Sequence, residues 1–221
     1  QQVSVIGSGM MGSGIAYASI LQGLEVLLID QNIKAAEAGK AKIEMLLSES
    51  VKRKKLSEEE KIRLLKKVKT DASLENISSS DLVIEAVFED LNLKHDLYKK
   101  IEPHLKEGAI LASNTSTLPI TKLSEVLADS TRFLGIHFFS PVDKMNLVEL
   151  IKSERTNDKT LAVALDYTSL IKKTPIVVND SRGFYANRCI IPYINEGLRM
   201  LNEGIEPVSY THLRAHETTC D

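Results

Sequence analysis

A histidine and a glutamate twelve residues apart carry the clearest chemistry in this sequence. His137 lies in the apolar segment 133–139, and Glu149 lies in the apolar segment 147–151. If the two segments form neighbouring strands, a carboxylate can hold one imidazole nitrogen while the other nitrogen takes or gives a proton near neutral pH. The pair therefore predicts an acid–base site. Taken alone, His137 is more simply interpreted as a hydrogen-bonded core residue.

Three glycines in a G-x-G-x-x-G pattern follow a short apolar run near the start of the chain: Gly7, Gly9 and Gly12. A helix-forming run at 15–21 comes next, so the pattern predicts a strand, a tight turn and a helix N-terminus that receives a pyrophosphate. Asp30 ends the following apolar run, at the spacing of a ribose-binding acid. Its carboxylate would accept from ribose hydroxyls and repel a 2′-phosphate. The sequence therefore predicts NAD rather than NADP.

Two further groups lie beside these residues. Met10 and Met11 belong to the glycine loop as candidate cofactor contacts, although packing is the favoured interpretation of both side chains. The segment 113–116, Ser-Asn-Thr-Ser, follows an apolar run and places hydroxyl and amide donors at the same sheet edge. Its alternative interpretation is turn and helix capping.

Strand-like and helix-like segments alternate along most of the chain. We predict strands at 3–6, 26–30, 81–87, 109–113 and 133–139, added strands at 147–151 and 175–178, and a projecting helical hairpin over 33–68. This alternation predicts a Rossmann-type α/β fold with a doubly wound, mainly parallel sheet. The pattern becomes purely helical from residue 184. We therefore expect an NAD-binding domain at 1–182 and the start of an all-α C-terminal domain at 183–207.

Composition narrows the function further. The formal net charge is −2, which argues against nucleic-acid or membrane-surface binding, and no apolar run approaches the length of a membrane helix. Cys189 and Cys220 are too few for a disulfide framework or a thiolate metal site. We expect a cytoplasmic enzyme that acts on a small molecule.

Both ends of the sequence depart from this pattern. The chain starts abruptly on an apolar strand, as if cut from a longer reading frame. Residues 208–221 resemble a translated sequencing adapter, and we expect this tail to be non-native. His212 and His216 could pair as metal ligands on a helix, but the adapter interpretation is favoured and no metal site is predicted.

Five motifs in order resemble the L-3-hydroxyacyl-CoA dehydrogenases. They are Val5-Ile6-Gly7-Ser8-Gly9-Met10-Met11-Gly12, Ser113-Asn114-Thr115-Ser116, His137-Phe138-Phe139-Ser140-Pro141, Leu147-Val148-Glu149 and Gly183-Phe184-Tyr185-Ala186-Asn187-Arg188. The resemblance covers residues 3–207 and is strongest to the dehydrogenase portion of bacterial multifunctional fatty-acid oxidation α subunits. It implies NAD-dependent oxidation of 3-hydroxyacyl-CoA to 3-ketoacyl-CoA in β-oxidation.

The resemblance also implies roles for individual residues. His137 would be the base and Glu149 its supporting carboxylate, while Ser116 and Asn187 would hydrogen-bond the reacting oxygen. Further cofactor contacts would come from Glu89, Lys94, Ser116 and Ser140, and Lys52, Arg53, Lys54 and Lys55 would meet the coenzyme A phosphates. Before the resemblance is considered, these four cations are more simply a solvated face. Ser140 stands where many members carry Asn, which puts one cofactor or substrate contact in question.

The same resemblance implies partners. It predicts a hydratase region before residue 1, a homodimer formed through the rest of the helical domain, and a complex with a thiolase. A non-catalytic, crystallin-like NAD-binding protein and a dehydrogenase of free hydroxy acids remain as alternatives.

Overall fold

A computed structural model describes residues 2–209. The strands are β1 (Gln2–Ile6), β2 (Glu25–Ile29), β3 (Val68–Asp71), β4 (Leu82–Glu85), β5 (Ile110–Ser113), β6 (Phe133–Phe138), β7 (Leu147–Lys152) and β8 (Thr174–Asn179). The helices are α1 (Met10–Leu21), α2 (Ile33–Lys52), α3 (Glu58–Leu65), α4 (Leu91–Ile101), α5 (Ile120–Ser124), α6 (Asp158–Leu170) and α7 (Ala186–Asn202). Short 3₁₀ turns occupy Leu74–Ser79, Glu102–His104 and Ser130–Arg132.

The strands form one sheet in the order β3-β2-β1-β4-β5-β6-β7-β8. Strands β1 to β6 pair in parallel, β7 runs antiparallel to β6, and β8 is parallel to β7. From β1 the chain adds β2 and β3 toward one edge of the sheet, and β4 then pairs with the other side of β1. The order of the strands therefore reverses between β1 and β4. Ligands of such sheets bind at this switch point, beyond the carboxyl ends of the strands. The Rossmann-type fold predicted from the sequence is confirmed.

The predicted helical hairpin over 33–68 is correct for α2 and α3 but misses β3. Ser57 begins α3 with a capping box, in which its side chain accepts from the amide of Glu60 while the Glu60 carboxylate accepts from the amide of Ser57. The chain then turns and Val68 joins β2 as an edge strand, with a side chain only 1% exposed. Because the segment has one strongly apolar residue, its strand character comes from pairing rather than from a sequence pattern.

The core consists of aliphatic side chains on both faces of the sheet. The central strands β1 and β4 are buried on both faces, as is usual for parallel strands covered by helices on both sides. Helix α6 begins at Asp158, where Asn157 caps it by accepting from the amide of Thr160.

The chain divides into two compact units, residues 1–182 and the residues from Gly183 onward. The second unit contains α7, and Gly183 and Phe184 precede it with positive φ angles of 75° and 51°. Ile190, Ile194 and Leu198 are exposed along this helix. Within residues 2–209, the helices fall short of the length and apolarity needed to cross a membrane.

Candidate active site

The glycine loop between β1 and α1 is shaped by close backbone approach. Gly7 has φ +99°, and a Cβ there would lie 2.5 Å from the carbonyl oxygen of Ala86. A Cβ at Gly12 would lie 1.7 Å from the carbonyl oxygen of Gly7. At Gly9, by contrast, no heavy atom of the described residues lies within 4 Å of that position, apart from those of Gly9 and its two chain neighbours. Gly7 and Gly12 therefore build the turn, and Gly9 leaves open space above it.

The N-terminus of α1 opens onto that space. Gly9 is its N-cap, and among the described residues no side chain caps the helix or places an acid in its first turn. The first amide groups of a helix lack intrahelical acceptors, and the helix dipole adds partial positive charge there. This end of α1 therefore fits a pyrophosphate, as the glycine pattern predicts.

The two methionines of the loop differ from each other. Met11 is half-buried and packs against the core, in line with the packing interpretation. That interpretation is wrong for Met10, whose side chain is 67% exposed. Met10 is the first residue of α1 and its Sδ lies 3.9 Å from Oγ of Ser140. Met10 and Ser140 thus border the same opening.

Asp30 is held in a fixed orientation at the carboxyl end of β2. Its Oδ2 accepts from the amide and Oγ of Ser8, at 2.7 and 2.6 Å, and its Oδ1 accepts from the amide of Gln31 at 2.8 Å. Burial opposes ionisation, but these hydrogen bonds outweigh it, so the pKa of Asp30 lies below its usual value. The carboxylate is therefore ionised and suited to ribose hydroxyls.

Sequence reasoning missed how Ser8 joins the loop to α2. A Cβ at Gly39 would lie 2.4 Å from Cβ of Ser8, so α2 packs directly on the loop. Ser13 adds a hydrogen bond from its Oγ to the carbonyl of Ser8, at 2.9 Å. The only signal in the sequence is the small size of these residues.

Replacing Asp30 by Asn should change both cofactor preference and acid stability. A lowered carboxylate pKa stabilises the fold above the unfolded pKa, near 3.9, and this stabilisation is lost as pH falls through the folded pKa. The variant should therefore lose less stability than the wild type below about pH 4. Its ratio of NADP to NAD affinity should rise about tenfold because repulsion of a 2′-phosphate is removed.

Asp71 offers the matched control for this substitution. It ends the neighbouring strand β3, and hydrogen bonds, first that from the Ser73 amide, likewise lower its pKa. Asp71→Asn should weaken the same acid dependence and leave cofactor preference unchanged. Equal NADP affinities for both variants, from titration of nucleotide binding, would contradict the role of Asp30.

His137 and Glu149 lie directly opposite each other on β6 and β7. Nδ1 of His137 is 2.6 Å from Oε2 of Glu149, with the histidine 6% exposed and the glutamate fully buried. The His137 ring also contacts Phe139, at a centroid distance of 4.5 Å. The antiparallel pairing of β6 and β7 brings the two side chains together, as the sequence predicts. A buried carboxylate on one nitrogen fixes the orientation of the ring.

Ser116 lies in the loop after β5, and the carboxylate of Glu89 accepts several hydrogen bonds from that loop. Oε1 of Glu89 accepts from Oγ1 of Thr115 at 2.5 Å, from the amide of Ser116 at 2.9 Å and from the amide of Thr117 at 3.2 Å. Burial alone would raise the pKa of Glu89, but the Thr115 bond and the charge of Lys94 hold it below its usual value. Lys94 is 1% exposed and ion-pairs with Glu89 at 3.2 Å.

Comparison with known proteins shows which family has this arrangement of residues. The family model for the NAD-binding domain of 3-hydroxyacyl-CoA dehydrogenases matches residues 2–181. The chain belongs to the 3-hydroxyacyl-CoA dehydrogenase family. NAD is accordingly its cofactor, as the glycine loop and Asp30 predict.

Individual relatives agree with this family. The fatty acid oxidation complex subunit alpha of Idiomarina loihiensis is 39% identical over 91% of this chain, which spans only 28% of that protein. (S)-3-hydroxybutyryl-CoA dehydrogenase PaaH1 from Ralstonia eutropha is 39% identical, with a TM-score of 0.91 over 94% of this chain and 74% of that one. FadB2 of M. tuberculosis is 34% identical, with a TM-score of 0.91 over 95% of this chain and 74% of that one.

The four cations predicted to meet coenzyme A lie together at the C-terminal end of α2. Lys52, Arg53, Lys54 and Lys55 are all exposed, and Lys54 has a positive φ of 57°. Arg53 and Lys55 line a cleft of about 350 Å³, together with Tyr17 and Lys144. Cations are also favourable at a helix C-terminus for electrostatic reasons alone. The cluster is therefore available to an anionic ligand, and its use by one stays a prediction.

The two remaining predicted site residues are Ser140 and Asn187. Ser140 is exposed and precedes Pro141 through a cis peptide bond. Asn187 is the second residue of α7, in the second unit. Among residues 2–209 no cluster of three metal-ligating side chains occurs. His212 and His216 lie outside the described residues.

Two polar contacts that support the site were not anticipated. Nζ of Lys173 donates to the carbonyls of Val142 and Met145, at 2.6 and 2.8 Å, in the segment that follows Ser140. The carboxylate of Asp180 accepts from the amides of Ile120 and Thr121, at 3.1 and 2.7 Å, at the start of α5. Both side chains fix loops through backbone groups, which leaves no pattern in the sequence.

Proposed function

We propose that the full-length protein carrying this chain oxidises the 3-hydroxyl of a 3-hydroxyacyl-CoA to the 3-ketone with NAD⁺. The observation that carries the proposal is the 2.6 Å contact between His137 and Glu149 in a chain whose residues 2–181 match an NAD-binding domain. An imidazole held by a buried carboxylate supplies the base that removal of a hydroxyl proton requires.

His137 performs the proton transfer in this proposal. Its Nδ1 is engaged by Glu149, so Nε2 is the atom that takes the hydroxyl proton. Glu149 keeps the ring oriented and stabilises the imidazolium that forms, as a buried acid does in other histidine-based sites. Because Glu149 is fully buried, solvent screens this interaction little.

The reacting oxygen gains negative charge as its proton leaves. Ser116 is proposed to donate to it, which stabilises the charge that develops. Asn187 is proposed to donate to the same oxygen, and this role rests on the motif in which Asn187 occurs. Glu89 fixes the backbone of the Ser116 loop and is proposed, with Lys94 and Ser140, to contact the cofactor.

The cofactor is held by groups at the switch point of the sheet. The open space at Gly9 and the N-terminus of α1 receive the pyrophosphate, while Asp30 receives the ribose. Bound NAD⁺ supplies the acceptor for the hydride that leaves C3 of the substrate. Met10 and Ser140 border the opening beside this site.

Assembly is proposed from the relatives. The Idiomarina loihiensis protein is named as a subunit of a fatty acid oxidation complex. We propose that the protein carrying this chain works in such a complex in the cytoplasm, as a homodimer that associates with a thiolase. Size measurement of the purified protein, alone and with the thiolase, tests this assembly.

The basic cluster at Lys52–Lys55 gives a prediction about substrate affinity. Replacing Lys52 and Lys54 by Glu should raise KM for acetoacetyl-CoA about tenfold, because charge attraction to the phosphates becomes repulsion. KM for NADH should stay unchanged. The matched control replaces Lys99 and Lys100, exposed cations on α4, by Glu. Equal KM values for the two double variants in steady-state kinetics would exclude the cluster as a coenzyme A site.

Substrate comparison tests the proposed function. NADH oxidation by the full-length protein should proceed with acetoacetyl-CoA and be negligible with acetoacetate, and coenzyme A alone should compete. Equal rates with the free acid, without competition, would identify a free hydroxy-acid dehydrogenase. Cofactor binding without turnover of either compound would identify a non-catalytic protein.

A further inference from the structure

Glu85 is a fully buried acid at the carboxyl end of the central strand β4. It follows an apolar run, and its position between β1 and β5 is one where an aliphatic residue is expected. A buried carboxylate is tolerated only when several donors satisfy it. Four do so here, at 2.6–2.8 Å: the amide of Val87, Nζ of Lys94, the hydroxyl of Tyr98 and Oγ of Ser113.

Two of these donors lead from Glu85 to the loop that carries Ser116. Ser113 donates to Oε2 of Glu85 at 2.8 Å, and its Oγ accepts from the amide of Thr115 at 3.2 Å. Lys94 lies between two carboxylates, 2.6 Å from Oε1 of Glu85 and 3.2 Å from Oε2 of Glu89. Since Glu89 accepts from the amides of Ser116 and Thr117, both routes end on the backbone of residues 115–117.

Tyr98 makes an equivalent bond that leads away from the loop. Its hydroxyl donates to Oε2 of Glu85 at 2.6 Å, and its ring packs on Phe133 with a centroid distance of 5.3 Å. Burial, and then the charge of Glu85, raise the pKa of Tyr98 well above its usual value, so the hydroxyl keeps its proton and donates. Tyr98 and Ser113 therefore stabilise the same oxygen atom, but only Ser113 continues to Thr115.

Glu85 also adjoins the glycine loop. It pairs with Ile6 across β1 and β4, and with Ser113 across β4 and β5. The next residue, Ala86, donates its amide to the carbonyl of Ile6 at 2.7 Å, and its own carbonyl is the group that excludes a side chain at Gly7. The acid thus lies between the loop that binds cofactor and the loop that carries Ser116.

We propose that Glu85 is a positioning residue, which sets the backbone of residues 115–117, and with it Ser116, through Ser113 on one route and Lys94 with Glu89 on the other. The inference rests on the proposed function in assigning Ser116 to the reacting oxygen. Displacement of a reacting group by about 1 Å lowers turnover up to about a hundredfold without removing the group. Loss of Glu85 should therefore act on kcat more than on KM.

The decisive comparison is between Ser113→Ala and Tyr98→Phe in the full-length protein. Each variant removes one neutral donor from Oε2 of Glu85, so both should lower Tm. Ser113→Ala should lower kcat for acetoacetyl-CoA reduction about tenfold, with KM for NADH within about twofold of the wild type. Tyr98→Phe should leave kcat within about twofold. Glu85→Gln should lower kcat more than Ser113→Ala does, and because it also removes the ion pair of Lys94, a proposed cofactor contact, its KM for NADH should rise as well.

Hydrogen exchange provides a second readout that needs no turnover. The amides of Ser116 and Thr117 should exchange faster in Ser113→Ala and Glu85→Gln than in Tyr98→Phe. If Glu85→Gln does not fold, the first two variants still decide the matter. Equal kcat values and equal exchange in those two would overturn the positioning role. A wild type that turns over no acyl-CoA would refute the proposed function instead, and the exchange comparison would still test the link from Glu85 to the loop.

Discussion

Replacing His137 by Gln is expected to lower kcat of the full-length protein about 10³-fold, within the range that acid–base catalysis contributes. Glutamine can still hydrogen-bond to Glu149, but it cannot take a proton from a hydroxyl. NADH affinity should persist because the glycine loop and Asp30 are untouched. Stopped-flow measurement of NADH oxidation and titration of NADH binding would check the two halves of this prediction.

The control for this substitution is His104→Gln. His104 is half-buried in a 3₁₀ turn, away from β6 and β7, and its replacement should leave kcat unchanged. Combining His137→Gln with Glu149→Gln should cost little beyond His137→Gln alone, because Glu149 acts through the imidazole. Turnover retained in His137→Gln, or full additivity of the two losses, would refute the assigned roles.

The second large effect is expected in the glycine loop, where two substitutions should fail in different ways. Gly12→Ala puts a Cβ 1.7 Å from a backbone oxygen, so the turn must open. We expect a loss of at least about 3 kcal/mol in the free energy of unfolding, the upper range for overpacking. Gly9→Ala meets open space. It should fold with a Tm near that of the wild type and lose NAD affinity about tenfold or more, because the added methyl occupies the space of the pyrophosphate.

Thermal unfolding and NAD titration of both variants test this pair. A Gly9→Ala protein that binds NAD normally would show that the pyrophosphate does not approach there. A Gly12→Ala protein of normal stability would show that the turn can relax. Either result would mean that the geometry of the glycine loop does not support its assignment as the dinucleotide site.

The features that the sequence predicts well are those set by local pattern. The alternation of apolar and helical segments predicts the doubly wound sheet, and the spacing of Gly7, Gly9, Gly12 and Asp30 predicts the cofactor class. Both depend on residues close together in the chain. The pairing of His137 with Glu149 can also be predicted, because their two strands are consecutive in the sequence and only residues 139–146 separate them.

The features that sequence reasoning missed depend on contacts between distant segments. Strand β3 exists because Val68 pairs with β2, and Met10 is exposed because the loop places the first turn of α1 at the surface. Glu85 lies within an apolar run, where only its four donors reveal why an acid is there. Those donors come from α4, β5 and the loop after β4, and no spacing in the sequence connects them.

The most direct test of the central claim is reduction of NAD⁺ by L-3-hydroxybutyryl-CoA, followed as NADH formation in the full-length protein. NADH should appear with the thioester, NADP⁺ should substitute poorly because of Asp30, and His137→Gln should lower the rate of NADH formation about 10³-fold. A wild-type protein that binds NAD⁺ but forms no NADH from this substrate, or a His137→Gln variant that forms it at the wild-type rate, would contradict the account.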